Sequence, residues 1–285
     1  MIIISSEKCL GYFEYGQPES PSRISRTIPI LKTAGYIFQE PTVKVSETEL
    51  AEAHSPTYVE SIKNATFPYD PECPKYPNLF FCASLAVEAA LTTLEKTLQG
   101  ENSFSLMRPP GHHAGKRPMG FCYFNNAAIV TLGALKHLER AAVLDIDYHH
   151  GNGTQEILFA KENVLHADIH CKRSWPGTGK RSERNCLNFL VENFCSEEEY
   201  LDKLEHALVE IKKFNPKILI VSAGFDTFKN DPVGGLGLEI RTYKKIGERI
   251  NGSAKELGIK TCSLLEGGYS KELPECILEY LRAFE

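Results

Sequence analysis

The 285-residue sequence has no long apolar run, no internal repeat and no low-complexity segment. No stretch approaches the roughly 18 apolar residues that a membrane-spanning helix needs. The apolar start Met1–Ile4 is followed at once by the polar run Ser5–Lys8, so an apolar core of signal-peptide length is also lacking. These absences predict a cytoplasmic protein that does not bind membranes.

Clusters of positive charge are lacking as well. The formal net charge is −5, the pI is near 6.0, and no block of five like charges occurs. A general nucleic-acid-binding protein shows a basic patch or stripe. The sequence therefore predicts no nucleic-acid partner.

Cysteine is present but lacks paired spacing. There are nine cysteines, an odd number, and no C-x-x-C motif. This pattern excludes a disulfide framework and argues against a zinc site with cysteine ligands. Apolar surroundings predict small core residues at Cys82, Cys122, Cys186 and Cys262.

Short apolar runs alternate with segments of helical periodicity. The predicted strands are Met1–Ser5, Tyr36–Gln39, Phe104–Met107, Ala141–Asp147, Val164–His170, Cys186–Val191, Lys217–Gly224 and Lys260–Leu265. The predicted helices are Ser22–Ala34, one starting at Ser55-Pro56, Ala83–Leu98, Asn125–His137, Ser196–Phe214 with a capping box of Ser196 and Glu199, and Glu239–Ala254. The alternation predicts an α/β fold, a single domain over residues 1–285 whose mostly parallel sheet carries helices on both faces.

The stretch Leu144–Thr154 carries the strongest chemical signal. If the strand before it continues, Asp145, Asp147 and His149 point the same way, because strand side chains alternate with a period of two. Open α/β sheets bind ligands beyond the carboxyl ends of their strands. Two carboxylates and an imidazole at such an end suit a catalytic zinc, which takes three protein ligands and leaves one position open.

Other predicted strand ends supply further candidates. His112 and His113 follow one strand, and Asp226 follows another. Asp231 is an alternative third ligand, although Asp-Pro is a common turn starter and Asp226 follows its strand more closely. Tyr269 comes after two glycines at the end of the last strand, which favours an orientation into the site.

Together these segments resemble the zinc-dependent deacetylases of the arginase–deacetylase fold, which include the histone deacetylases, acetylpolyamine amidohydrolases and acetoin-utilisation proteins. The resemblance spans nearly the whole chain and is closer to class II than to class I. It rests on Arg108–Ala114, Gly120–Asn126, Leu144–Gln155, Ser222–Asp226 and Leu265–Tyr269.

The resemblance implies a role for each matching residue. The ligands of one zinc ion would be Asp147, His149 and Asp226. The catalytic residues would be the proton-transfer pair His112 and His113, Asp145, which orients His112, and Tyr269, which binds the oxyanion. The residues that bind substrate would be Gly120, through its carbonyl, and Phe121, Trp175 and Gly268. A potassium ion would lie among backbone oxygens near Asp145, Asp147, His149, Asp168 and Ile169.

Three positions depart from the family pattern. The segment Cys171–Trp175 is shorter than in the eukaryotic enzymes, which affects the expected channel width, and Gln17 stands where many class II members have histidine. Asn152 replaces the aspartate of class I and can orient His113 without adding negative charge.

The expected function is hydrolysis of acetyl or similar acyl groups from acetyl-lysine or a small acylated amine. Polyamine-selective members carry a glutamate seven residues after the third metal ligand, and Val233 stands there in this chain. Asp70 and Glu72, on the long predicted loop Phe67–Asn78, are expected to be more exposed and only partly to replace that charge. The alternatives are an acetylpolyamine amidohydrolase, a non-catalytic acyl-lysine binding module and an arginase-like ureohydrolase.

Overall fold

Eight strands form one sheet in the computed structural model, which describes residues 1–68 and 70–285. The strands are β1 (Ile2–Ile4), β2 (Ile37–Gln39), β3 (Ser103–Ser105), β4 (Ala141–Asp145), β5 (Val164–Cys171), β6 (Cys186–Val191), β7 (Leu219–Ala223) and β8 (Thr261–Leu265). Their order is β2-β1-β3-β8-β7-β4-β5-β6, and each of these pairings is parallel. The predicted strands and the predicted parallel sheet are confirmed.

The helices pack on both faces of this sheet. They are α1 (Ser22–Ser25), α2 (Thr27–Thr33), α3 (Glu47–Ala53), α4 (Pro56–Lys63), α5 (Leu79–Leu98), α6 (Asn126–Ala134), α7 (Asn152–Leu158), α8 (Glu197–Phe214), α9 (Ile240–Leu257) and α10 (Leu273–Arg282). A short 3₁₀ helix, Glu7–Leu10, follows β1.

Strand β4 shows why helices cover both faces. Ala142 and Leu144 pack into the core that includes α8, α9 and α10, whereas Ala141 and Val143 pack into the core that includes α5 and α6. Because neighbouring strand residues point to opposite faces, a wholly apolar strand needs a layer on each side. The helical layers on both faces agree with the predicted α/β architecture.

Several local predictions needed correction. The predicted helix Ser22–Ala34 is split into α1 and α2, because Pro29 has no N–H to donate to the Ser25 carbonyl. At the start of α8, Ser196 accepts the Glu199 N–H at 3.1 Å, but the described contacts lack the reciprocal bond of a capping box. Helices α3, α7 and α10 were not predicted.

The cysteines and the apolar segments agree with a well-packed α/β domain. All nine cysteines are buried and free. Within residues 1–68 and 70–285, no helix is both long enough and apolar enough to cross a membrane. Most of the predicted loop 67–78 is irregular, and Tyr69 within it lies outside the described residues.

Candidate active site

The turn after β4 separates three side chains that the sequence pattern placed together. β4 ends at Asp145, whose Oδ1 accepts the Asp147 N–H at 3.1 Å, and Asp147 Oδ1 accepts the His149 N–H at 2.9 Å. Such side-chain bonds to the N–H two residues later form turns and end the extended conformation. Asp147 and His149 therefore lie in one cluster, whereas Asp145 lies beside His112. The prediction of one continuous row was wrong.

Asp147, His149 and Asp226 form what we call the open cluster, with one ligand atom of each within 4.8 Å of the others. His149 Nδ1 lies 2.9 Å from Asp226 Oδ2 and 3.3 Å from Asp147 Oδ1. The N–H groups of Tyr148 and Gly267 bind the two carboxylates at 2.9 and 2.8 Å and fix their orientation. Two carboxylates and one imidazole are a donor set that suits zinc.

The electrostatics of the open cluster also fit a cation. Burial and the adjacent Asp147 carboxylate raise the pKa of Asp226 to about 7. Burial disfavours a charged imidazole, but hydrogen bonds to Asp147 and Asp226 raise the pKa of His149 to about 10. Two buried carboxylates side by side need a positive partner. A metal ion would supply that charge.

The two adjacent histidines have different partners. Their ring centroids lie 3.9 Å apart, His112 Nδ1 is 3.0 Å from Asp145 Oδ2, and His113 Nδ1 is 2.8 Å from Asn152 Oδ1. Although burial opposes it, the Asp147 and Asp145 carboxylates hold the pKa of His112 well above its usual value. Burial and the neighbouring imidazoles hold the pKa of His113 well below its usual value. Opposite shifts in neighbouring groups are typical of acid–base pairs.

A cavity of about 250 Å³ lies over these groups. Its walls include two aromatic pairs, with the Trp175 ring 4.8 Å from His113 and the Phe121 ring 5.6 Å from Tyr269. The lining residues are Glu72, His112, His113, Gly120, Phe121, Asp147, His149, Trp175, Val233 and Tyr269. Asp145, Asn152 and Asp226 lie behind the lining residues that they contact.

Gly120 has both a steric and a conformational reason to be glycine. Its φ is +54°, and an added Cβ would lie 2.5 Å from the His113 ring and 2.8 Å from Trp175. A larger residue would displace a proposed catalytic side chain. Gly120 therefore permits the close approach of His113 and Trp175.

The structure places Val233 and Glu72 on the same cavity wall. Asp70, Glu72 and Val233 are all half-buried, whereas Asp70 and Glu72 were expected to be the more exposed. Burial and the nearby Asp70 carboxylate raise the pKa of Glu72. The cavity therefore has an acidic group at a position where solvent screening is reduced.

Tyr269 borders the cavity, but Gly268 does not. Burial raises the pKa of the Tyr269 phenol well above its usual value, so the hydroxyl keeps its proton. Gly268 has a φ of +119°, and its carbonyl accepts a hydrogen bond from Arg23 Nε at 2.7 Å. Gly268 was predicted to bind substrate. In the described part of the chain it instead shapes the turn that carries Tyr269.

Asp231, the alternative metal ligand, has a different position. Its Oδ1 accepts the N–H groups of Val233 and Gly234 at 2.9 and 3.1 Å. Its Oδ2 accepts the N–H groups of Tyr269 and Ser270 at 2.6 and 3.0 Å. Asp231 thus ties the Val233 loop to the Tyr269 loop, while Asp226 joins the open cluster.

A buried ion network behind Tyr269 was not predicted. Glu19 Oε1 and Oε2 pair with Arg108 at 2.8 and 2.6 Å, and Glu19 also lies 3.4 Å from Arg23. The Arg23 guanidinium lies 4.8 Å from the centre of the Tyr269 ring. Arg108 belongs to the Arg108–Ala114 motif that the sequence analysis identified, but its partner Glu19 is 89 residues away. Such a pairing depends on the tertiary fold.

Glu266 is a second residue whose role was not predicted. Its Oε2 accepts the N–H groups of Gly111 and His112 at 2.7 and 3.1 Å, and its Oε1 accepts the Ser222 hydroxyl at 3.2 Å. The carboxylate therefore fixes the backbone of the histidine loop. Its place in the Leu265–Tyr269 motif was the available signal.

Comparisons with known proteins point to one family. A family model described as the histone deacetylase domain matches residues 17–284. Acetylpolyamine amidohydrolase 1 of Pseudomonas aeruginosa is 36% identical over 219 residues, an alignment that covers 72% of this chain and only 62% of that protein. A probable deacetylase of Archaeoglobus fulgidus is 33% identical over 280 residues, which covers 90% of this chain and 77% of that protein.

A solved structure extends the similarity to the whole fold. The crystal structure of an acetylpolyamine aminohydrolase from Burkholderia pseudomallei superposes with a TM-score of 0.89 at 25% identity, and the match covers 100% of this chain and 98% of that chain. The sequence match and the shared fold agree. The chain belongs to the histone deacetylase family.

Proposed function

We propose that this protein is a zinc-dependent amide hydrolase that removes acetyl or similar acyl groups from acetyl-lysine or from a small acylated amine. One observation carries the proposal: the open cluster, the His112–His113 pair and Tyr269 all meet at one cavity. Relatives named as a deacetylase and as an acetylpolyamine amidohydrolase support it.

The three ligand side chains support a single catalytic zinc. Asp147, His149 and Asp226 would hold the ion and leave one position for substrate and water. Bound there, zinc would polarise the amide carbonyl and lower the pKa of water towards about 7.

The protein's own groups handle the proton and the developing charge. His113 accepts a proton from the attacking water, because its pKa is depressed and the Asn152 carbonyl binds Nδ1, which leaves Nε2 free to accept. His113 then protonates the leaving amine. Tyr269 donates a hydrogen bond to the tetrahedral oxyanion. Asp145 holds His112 beside this pair.

The cavity walls favour a narrow alkyl amide. Phe121 and Trp175 provide apolar surface along an alkyl chain, and the Gly120 carbonyl accepts the amide N–H. Displacement of water by these rings strengthens the polar interactions at the reacting carbon. An acetylated lysine side chain fits these requirements.

Acetylpolyamine hydrolysis is the second candidate, and Glu72 favours it. Val233 lacks the charge of the polyamine-selective members, but the half-buried Glu72 carboxylate lies on the same cavity wall. A carboxylate a few ångströms from a substrate ammonium contributes about 1 to 4 kcal/mol, depending on the local dielectric. We place acetyl-lysine or a small acylated amine first, with acetylpolyamine as the alternative.

Two measurements test these assignments. The first is hydrolysis of a fluorogenic acetyl-lysine substrate before and after removal and restoration of zinc; an inactive zinc-loaded protein would contradict the hydrolase proposal. The second compares kcat/KM for acetylspermidine and an acetyl-lysine peptide at two salt concentrations. A preference of about 100-fold for acetylspermidine, equivalent to about 2.7 kcal/mol, would establish the second candidate instead.

The competing functional classes lack support in the site. A non-catalytic binding module would lack the tyrosine or a zinc ligand, and this chain has all of them. A two-manganese ureohydrolase needs carboxylates that bridge two ions. The described residues contain two groups of possible metal ligands, the open cluster and a group of Asp145, His166 and Asp168 that we call the closed cluster, and the two groups share no residue.

Location and the monovalent ion complete the proposal. The free, buried cysteines support a reducing, cytoplasmic location. The potassium ion near Asp145, Asp147, His149 and Asp168 stays a prediction, which metal analysis in potassium-containing and potassium-free buffers tests.

A further inference from the structure

A second cavity, of about 320 Å³, adjoins the cavity over the open cluster, and we call it the side cavity. His113 lines both cavities, and Trp175 of the first is followed directly by Pro176 of the second. An extended peptide advances about 3.3 Å per residue, so the residues next to a bound acetyl-lysine reach this short distance. The walls of the side cavity also include Lys116, Arg117, Met119, Glu156 and Thr178.

The side cavity has positive charge along its edge. Lys116 and Arg117 line it, and Lys180 and Arg181 follow Thr178 closely on the loop after β5. All four side chains are exposed, and we call them the basic rim. The expectation that positive clusters are lacking therefore holds for the linear sequence only, because the fold brings two short basic pairs to one cavity.

Two cations of the basic rim are already paired and two are not. Lys116 and Arg181 pair with glutamate carboxylates at 2.8 and 2.7 Å. In the part of the chain that the structure describes, Arg117 and Lys180 form no ion pair. The rim thus keeps an excess of positive charge in a protein whose formal net charge is −5. Charge of one sign beside a binding site favours partners of the other sign.

The two adjoining cavities differ in charge. Glu72 lines the substrate cavity, and the side cavity carries Lys116, which offsets Glu156, together with Arg117. A carboxylate is therefore attracted to the side cavity and repelled from the substrate cavity. Met119 and Pro176 add apolar surface that can contact the methylene groups of an acidic side chain.

We infer that the basic rim binds an aspartate or glutamate that neighbours the acetyl-lysine in a peptide or protein substrate. This inference rests on the proposed hydrolase function and narrows its substrate class to acetyl-lysine within an acidic segment. An acetylated polyamine is a cation and gains no attraction from the rim. Because the rim side chains are exposed, salt screens them, and the preference is expected to be moderate and salt-dependent.

Three peptides that differ only beside the acetyl-lysine test the rim. Their flanking residues are aspartate, serine or arginine, and kcat/KM is measured at low and at high salt. We expect the acidic peptide to exceed the neutral one by about 5-fold at low salt and by about 2-fold or less at high salt. The double variant Arg117→Gln with Lys180→Gln should lose this preference and keep the wild-type kcat/KM for the neutral peptide. The control, Lys217→Gln with Lys260→Gln, removes two exposed lysines just before β7 and β8 and should keep the preference.

A binding measurement keeps the test independent of hydrolysis. Zinc-loaded Tyr269→Phe, with and without the two rim substitutions, is titrated against the same peptides carrying one common fluorescent label, and anisotropy gives Kd. We expect the acidic peptide to bind about 5-fold more tightly than the neutral one, only with the rim intact, whether or not the wild type is an active hydrolase. Equal Kd values, or a preference that survives the rim substitutions, would overturn the inference and leave the proposed function standing. Tighter binding of a labelled oligonucleotide than of the acidic peptide, lost with the same substitutions, would assign the rim to nucleic acid and overturn it as well.

Discussion

The open and closed clusters contain the same ligand types and differ in access. Each has two aspartates and one histidine, yet His149 of the open cluster is 9% exposed and borders a cavity, whereas His166 of the closed cluster is 0% exposed. A catalytic metal keeps a position for exchangeable ligands, and a structural metal does not. The comparison teaches that equal donor types do not imply equal roles, because only the open cluster has access to a cavity that a substrate can enter.

The neighbours of each cluster reinforce this difference. The open cluster lies beside the His112–His113 pair and Tyr269, which can move protons and stabilise charge. The closed cluster lies among strand residues and the histidines at positions 150 and 170. Asp145 joins the two regions, because it belongs to the closed cluster and also contacts His112. Function therefore depends on the groups that surround the donors.

Loss of an open-cluster ligand should have the largest effect on activity. We expect Asp226→Ala to lose one zinc and to lower kcat/KM by about 10³-fold or more, because a catalytic metal contributes several kcal/mol to transition-state stabilisation. Zinc analysis and steady-state kinetics measure the two effects. Asp202→Ala, at an exposed position of α8, is the matched control. Full metal and full activity in Asp226→Ala would remove Asp226 from the site.

Removal of the Tyr269 hydroxyl should reduce turnover while leaving the metal in place. Tyr269→Phe keeps the ring against Phe121 but removes the proposed donor to the oxyanion. We expect kcat to fall by about 10²- to 10³-fold with zinc content unchanged. The control is Tyr15→Phe, since Tyr15 is almost fully exposed. Unchanged turnover in Tyr269→Phe would contradict the oxyanion role.

The sequence predicted the strands well because apolar runs end at polar or glycine-rich turns. It did not predict α7, which begins at Asn152 between the glycines at positions 151 and 153. Helix α3 carried a usable signal, because Ser46 and Glu49 form a full capping box. Local patterns locate helices and strands, but glycines at the start of a helix make its first residue hard to predict.

The sequence located the candidate site residues that follow strand ends. It did not locate residues whose contacts are distant in sequence. Asp147, His149 and Asp226 converge as the pattern indicated, because parallel strands meet at one edge. Asp145 departs from that row because side-chain hydrogen bonds turn the chain. Arg23 contacts Gly268, 245 residues later, and no local pattern encodes such a pairing.

The entrance to the open cluster gives a smaller, substrate-dependent effect. We expect Glu72→Gln to reduce kcat/KM for acetylspermidine by about 10-fold at low salt, because it removes one attraction for a substrate ammonium. The reduction should shrink at high salt, and an uncharged acetyl-lysine substrate should be little affected. Glu60→Gln, exposed on α4, is the control. Equal effects on both substrates would show that Glu72 does not recognise charge.

The smallest effect concerns the pH at which the open cluster is active. His113 has a neutral partner, Asn152, at 2.8 Å, and burial together with the neighbouring imidazoles lowers its pKa. In Asn152→Asp, a carboxylate at that distance should stabilise the protonated ring and raise its pKa. A base with a higher pKa is protonated, and therefore inactive, up to a higher pH. The acidic limb of the kcat/KM profile should move to higher pH, while activity at alkaline pH changes little. A limb that stays in place, with zinc content unchanged, would mean that a group other than His113 limits activity in acid.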